Sequence, residues 1–487
     1  MAFSSSYDPS TAFLELAGPA GAPFFDFVEP ASFPMTRIRY KNQQWASQIG
    51  IHDLNDDEWI EHFAKFVPLR DNLPKPMALR YHGHQFRAYN SDIGDGRGFL
   101  FAQLKDTQGR LLDLGTKGSG QTPYSRFGDG RLTLKGGVRE VLATELLEAL
   151  GVYTSKSFSL IETGEELERG DEPSPARSAV LVRLGHSHVR FGAFQRLAFE
   201  ENADAIERLV DYCVAAFDPD LAAFPAEKKP ALFFERVVAR TAQLVAQWMA
   251  AGFVHGVLNT DNMNVTGESF DYGPWRFIPT LDPGFTAAYF DQTGLYAYGR
   301  QAEAGAWNLA KLGGALALIC DIDLLNKALQ TYQSRFMSAM GTAFLQRFGL
   351  KPTGQEDFET ISGLLQWMQK KDVPFERVFF DWFCGRASND RRKESPINHL
   401  YNEEDFKPIA AALQNFEPDR PARLQADYFQ RHDPLTMLID EVEAIWAPIA
   451  DADDWTLFET KLADIDEMRR AYGFSASSYQ NNLLAGD

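Results

Sequence analysis

The sequence predicts an α+β fold: a small mixed β-sheet lobe, then a largely helical lobe, with an N-terminal arm before them and a C-terminal helical extension after. Three observations carry this reading. Short apolar runs separated by glycine turns lie between Met77 and Leu114, segments 138–150 and 232–251 carry apolar residues at helical spacing, and from about residue 201 the chain is mainly helical. The boundaries that follow are an arm at 1–75, a sheet lobe at 76–200, a helical lobe at 201–345 and an extension at 346–487. With 487 residues, 45% of them hydrophobic, a sizeable core can be buried.

The first 75 residues mix Pro and Gly with aromatic patches such as that at 22–27, which predicts an irregular arm packed on something larger. Gly94, Gly96 and Gly98 precede a run in which Phe99, Phe101 and Gln103 alternate with Leu100, Ala102 and Leu104. Turn chemistry at 106–109 then separates this run from 110–114, so a hairpin is expected. Val138, Val141, Leu142, Leu146 and Leu150 line one helical face, and Gly151 suits the stop. Residues 164–177, acidic and Pro-containing, predict a surface loop before the apolar strand at 179–183. A long, largely apolar helix at 232–251 can end at Gly252, and a further helix is expected at 303–318.

The balance of 48 Lys+Arg against 67 Asp+Glu, net −19, disfavours general affinity for nucleic acid or acidic membranes. Any polyanion must meet a local basic pocket. Cys213, Cys320 and Cys384 are widely spaced and show no metal-ligand pattern, which fits a reducing cytoplasm. The first residues lack a basic region followed by an apolar run, and no stretch of about 18 apolar residues occurs, so a cytoplasmic chain without a membrane partner is expected.

Several stretches carry chemistry. In HGVLNTDNM at 255–263, His255, Gly256 and Asn262 keep the register of a phosphotransferase catalytic loop, but Val257 stands where the acid belongs and Asp261 comes late. Asp261, Asn262 and Asp271 supply oxygen ligands on neighbouring loops, suited to Mg²⁺ that shares itself with substrate phosphates; the same letters also serve as ordinary turns. Lys117, at the end of an apolar strand, can reach phosphates while Glu140 on the following helix holds it, although an exposed strand-end Lys is the plainer meaning. Gly94, Gly96 and Arg97 could close on a phosphate, and Asp129 and Gly130 form a second glycine turn beside Arg126 and Arg131. Arg183 and Arg190 flank a short turn, and their forked guanidinium groups match phosphate oxygens. His186 and His188 between them, like His82 and His84, read as polar turns. Each signal is weak by itself, but their order is that of a kinase-like nucleotide site.

These stretches resemble the selenoprotein O family, kinase-like proteins that transfer AMP rather than phosphate to proteins. The resemblance rests on 93–97, 112–131, Arg139-Glu140, 255–263, 271–274 and 307–310, and extends from about residue 70 to 320. It implies a protein-kinase-like two-lobed fold and a nucleotide bound in reverse, so that the α-phosphate faces the acceptor. By motif, Gly94, Gly96, Arg97, Lys117, Asp129, Gly130, Arg183, Arg190 and Asp271 contact ATP. Glu140 pairs with Lys117, Asn262 and Asp271 hold Mg²⁺ with Mn²⁺ as the alternative ion, and Asp261 is the base. The implied partners are ATP and proteins bearing Ser, Thr or Tyr hydroxyls, self-modification included. A conventional phosphotransferase with a shifted base and a non-catalytic nucleotide-binding pseudokinase are the rival readings. Some members carry a selenocysteine near the C-terminus or a cysteine pair linking that end to the segment after the metal Asp. This chain has no Cys after 384 and none between 262 and 319.

Overall fold

The computed structural model describes residues 4–17, 21–170, 172–354 and 357–474. In chain order the strands are β1 (Asp8–Ser10), β2 (Phe25–Phe27), β3 (Arg37–Lys41), β4 (Met77–Leu79), β5 (Gly83–Gln85), β6 (Ala88–Asn90), β7 (Leu100–Lys105), β8 (Leu111–Lys117), β9 (Leu132–Thr133), β10 (Lys156–Leu167) and β11 (Ala176–Gly185), with the short pair β12 (Phe253–Val254) and β13 (Arg276–Phe277) further on. One nine-stranded sheet runs β2-β4-β7-β8-β11-β10-β3, with β1 added on β7 and β9 on β11; β5 and β6 form a separate hairpin. The expected small mixed sheet is thus large, and its pairings are antiparallel. Direct hairpins, β7 into β8 and β10 into β11, join its central strands, a connection only antiparallel pairs permit.

The first 75 residues are not an irregular arm. They supply β1, β2 and β3, and their helices Gln43–Gln48 and Asp56–Phe63 cover one face of the sheet with Trp45, Trp59 and Phe63. Asn55 caps the second helix reciprocally with Glu58, which fixes where it starts. The expected 164–177 loop is also shorter. β10 extends to Leu167 and β11 begins at Ala176, paired Glu166 to Arg177 and Leu167 to Ala176, because the charged residues sit at the solvated end of a hairpin rather than off the sheet.

β11 shows why its sequence reads as a continuous apolar run. Val180, Val182 and Leu184 join the cluster under the N-terminal helices, while Ala179 and Leu181 face the main core with the helix Leu134–Ala149. In β7 the expected alternation breaks at a register shift between Leu100 and Ala102, which leaves Phe101, Ala102 and Leu104 in one cluster. Gln103 instead meets Asp113 and Tyr212 on the opposite side.

Thr133 caps the helix Leu134–Ala149, its hydroxyl accepting from Gly136 N at 3.2 Å. The helix Lys229–Ala250 starts at a Pro and ends before Gly252, whose φ of 64° is the left-handed stop expected. The helix Gln301–Leu316 follows, and helices continue through Thr456–Tyr472, which packs back on Leu134–Ala149. No helix among the described residues is long and apolar enough to cross a membrane.

Candidate active site

A cleft of about 640 Å³ opens between the central strands and the loops at 261 and 271. Gly94, Gly96, Arg97, Lys117, Asp129, Gly130, Arg183, Arg190, Asp261 and Asp271 all line it, although they span much of the first 271 residues. The topology gathers them: Lys117 ends β8, Arg183 lies on the neighbouring β11 opposite Gly115, and Arg190 begins the helix Phe191–Phe199. Seven Arg and Lys side chains face five Asp and Glu side chains on the cleft wall, a local positive excess within a chain of net −19. An apolar cavity of about 470 Å³ beside Leu150, Phe277 and Leu435 contains none of the expected residues.

The Lys117 ammonium is buried in an ion pair with Glu140 and donates to Asp271 Oδ1 at 2.8 Å. Arg183 Nη1 reaches the same oxygen at 3.3 Å. Burial alone would raise the Asp271 pKa, but Lys117, Arg183, Arg190 and Arg97 around it hold it well below the ordinary carboxylate range. Its backbone is left-handed, with φ 63°, a conformation Asp tolerates better than most residues. His255, fully buried, hydrogen-bonds the Phe270 carbonyl at 2.9 Å and so ties the 255–262 loop to the residue before Asp271.

Arg190 donates to the Asp261 carbonyl at 2.9 Å and contacts Asp95 at 3.3 Å. Its guanidinium carbon lies 4.6 Å from the Tyr81 ring centre and 4.9 Å from that of Phe270, contacts that fix its plane. Asp261 differs from Asp271 in kind. Burial pushes its pKa up to about 6, with Arg190 opposing and Asp271 adding to the rise. Its Oδ1 is buried and makes no hydrogen bond. The adjacent Gly83 leaves room for it, since a Cβ there would come 2.8 Å from Oδ1.

Among the described residues no group of three or more His, Cys, Asp or Glu could hold a metal ion. The donors fit a smaller demand. Asn262 donates its amide to the Val257 carbonyl at 3.0 Å, and neither Asn262 Oδ1 nor Asp271 Oδ2 accepts a hydrogen bond from a described residue. Two such oxygens suit Mg²⁺ completed by phosphates and water. Asn262 itself is not on the cleft wall; it flanks Asp261 on the turn Thr260–Asn262.

The glycine turn is occupied from one side by the chain itself. Tyr124 lies so close that a Cβ at Gly94 would meet its ring at 2.5 Å, and Ser125 donates to the Gly96 carbonyl at 2.5 Å. Asp129 accepts from Arg169 at 2.8 Å and from the Arg131 backbone at 2.9 Å, so its carboxylate is already engaged. Sequence reasoning missed Tyr81, Gln85 and Arg169 on the wall. Arg169 belongs to the stretch read as an outer loop, and only the β10–β11 pairing reveals its direction. Tyr81 had no signal beyond its position before His82.

The family model for "Protein adenylyltransferase SelO" matches residues 11–466. A relative from Gloeobacter violaceus named protein nucleotidyltransferase YdiU is 43% identical over 469 residues, covering 93% of each chain. Relatives of the same name from Synechocystis and Azotobacter vinelandii are 41% and 39% identical, covering 90% and 76% of this chain and 94% and 73% of their own. A family of nucleotidyl-transferring enzymes thus matches the fold and the basic cleft together, and this chain belongs to the SelO family of protein adenylyltransferases.

Proposed function

We propose that this protein transfers AMP from ATP to Ser, Thr or Tyr hydroxyls of proteins and releases pyrophosphate. The observation that carries the reading is the division of labour between two acidic residues in one basic cleft. Asp271 is held ionised by Lys117 and Arg183, while Asp261 is buried, more basic and carries a free oxygen. The sheet and the following helices are read as the two lobes of a kinase-like fold, spanning 76–200 and 201–345, with 346–487 as an extension. A cytoplasmic location belongs to the same reading.

In the transfer, the acceptor oxygen attacks the α-phosphorus, the bond from that phosphorus to the bridging oxygen of pyrophosphate breaks, and the hydroxyl proton passes to Asp261. The free, buried Oδ1 suits that proton, and burial leaves the carboxylate a stronger base than a surface Asp while it is still ionised at neutral pH. Arg97, Lys117, Arg183 and Arg190 offset charge on the phosphates and the leaving group; such fixed cations act where charge develops and need no reorganisation. Asp129 and Gly130, with Gly94 and Gly96, border the nucleotide. Asn262 and Asp271 would hold Mg²⁺, or Mn²⁺, which when bound neutralises phosphate oxygens.

ATP labelled at the α or the γ position tests the reading. Transfer of the α label to the protein itself or to an acceptor protein is expected. Exclusive γ transfer would mean a phosphotransferase with a shifted base, and transfer of neither label would mean a nucleotide-binding scaffold.

A further inference from the structure

The β5–β6 hairpin presents a surface that nucleotide binding does not use. Its backbone is fastened to the loop that carries Asp261: His84 N donates to Thr260 Oγ1 at 2.7 Å and Phe86 N to Asn259 Oδ1 at 3.0 Å. One strand side chain, Gln85, enters the cleft beside Asp261. At the hairpin tip Phe86 and Arg87 are both left-handed, with φ 49° and 66°, where two-residue turns of this kind favour Asn-Gly. A bulky aromatic side chain is therefore held in an unfavourable backbone at the edge of the cleft.

Phe86 is also not alone. Its ring lies 5.8 Å from that of Phe290, which lies 5.1 Å from Tyr289. All three are solvent-exposed: Phe86 at 38%, Phe290 at 47% and Tyr289 at 82%. Tyr296 anchors the assembly from below, 5.1 Å from Phe86 and hydrogen-bonded through its hydroxyl to the same Asn259 oxygen at 2.8 Å. Two separate chain segments thus place exposed aromatic rings beside the loop of the acid expected to take the acceptor's proton. The charges at the rim cancel in pairs, Arg87 and Arg300 both meeting Glu303, so a partner gains little there from its own charge.

We infer that Phe86, Tyr289 and Phe290 form the docking surface for the acceptor polypeptide, and that they select an extended segment with an aromatic or large apolar residue a few positions from the modified hydroxyl. The occupant follows from continuity: the patch borders the Asp261 loop, where the acceptor hydroxyl must lie, and an extended segment advancing about 3.3 Å per residue passes from one to the other. Exposed rings grouped at one place are the kind of feature that anchors binding. This inference rests on the proposed transfer reaction.

The test is a peptide array with one central Ser and every residue in turn at each flanking position, modified with α-labelled ATP. The native protein is expected to favour Phe, Tyr or Leu at one flanking position by about tenfold in kcat/KM. The double variant Phe86→Ala/Phe290→Ala is expected to lose that preference, with ATP affinity, measured by calorimetry, reporting that the nucleotide site is intact. Phe86→Trp, with Phe290 retained, should keep it. A native protein that labels peptides without any flanking preference, or a double variant that keeps it, overturns the docking surface while leaving AMP transfer standing. Absence of α-label transfer from the native protein overturns both. A native dimer that the double variant converts to monomer, seen by sedimentation, would assign the patch to a second copy and equally overturn the inference.

Discussion

At the scale of single residues, the site is a set of carboxylates given different properties by their neighbours. Asp271→Ala removes the group that Lys117 and Arg183 share, and α-label transfer is expected to fall by about 10²-fold or more with the circular dichroism spectrum unchanged, because Lys117 keeps Glu140. Glu268 is a carboxylate of another kind. Burial pushes its pKa up to about 7, although Lys156 and the hydrogen bond from His186 N oppose the rise. A raised carboxylate pKa means that the folded protein keeps a proton the unfolded chain has lost, so stability is greatest below the unfolded pKa and declines as pH rises to about 7. Glu268→Gln should therefore stabilise the protein at pH 8 by roughly 2 to 3 kcal/mol and lose most of that advantage near pH 4.5, read from urea midpoints at the two pH values. The expected nucleotide residues were legible because phosphate chemistry restricts them to Gly, Lys and Arg in turn contexts. Tyr81 and Arg169 were not, since an aromatic ring against Arg190 and a cation on a hairpin tip have no local signature.

Among the elements, helices were easier to read than strands. Gly151 and Gly252 stop the helices expected to end before them, whereas the β10–β11 hairpin tip was taken for a loop because charge hides pairing. The register shift in β7 was invisible for a related reason: alternation is a local pattern, and a bulge is set by the partner strand. The N-terminal strands were missed because β1 and β2 are three residues each, too short for any period to show. Their helices nonetheless carry weight. Trp59 is fully buried, stacks on Phe158 at 5.1 Å and donates its indole N–H to Ser159 at 2.8 Å. Trp59→Ala is expected to cost about 3 to 5 kcal/mol in denaturant unfolding, far more than removing a residue from a detachable arm would.

In the whole molecule, the nucleotide cleft depends on parts far from it in sequence. The helix Leu134–Ala149 carries Glu140 on one side and Glu145 on the other, and Arg469 of the helix Thr456–Tyr472 pairs with Glu145 and approaches Glu148 at 3.6 Å. Arg469→Ala leaves two enclosed carboxylates without that cation, so a loss of about 3 kcal/mol is expected in thermal or urea unfolding, with weaker ATP binding as the second readout. Asp453 adds a second clasp, accepting from Arg39 on β3 and Arg177 on β11 at 2.7 Å each. The braced helix has a consequence in time. A separation of 324 residues lies between Glu145 and Arg469, and a ribosome adding about 5 to 20 residues per second needs roughly 15 to 65 s to cover it. A nascent chain passes that interval with its nucleotide-binding residues already made and their supporting helix unclasped, so competence arises late in translation and an interrupted chain is released without it.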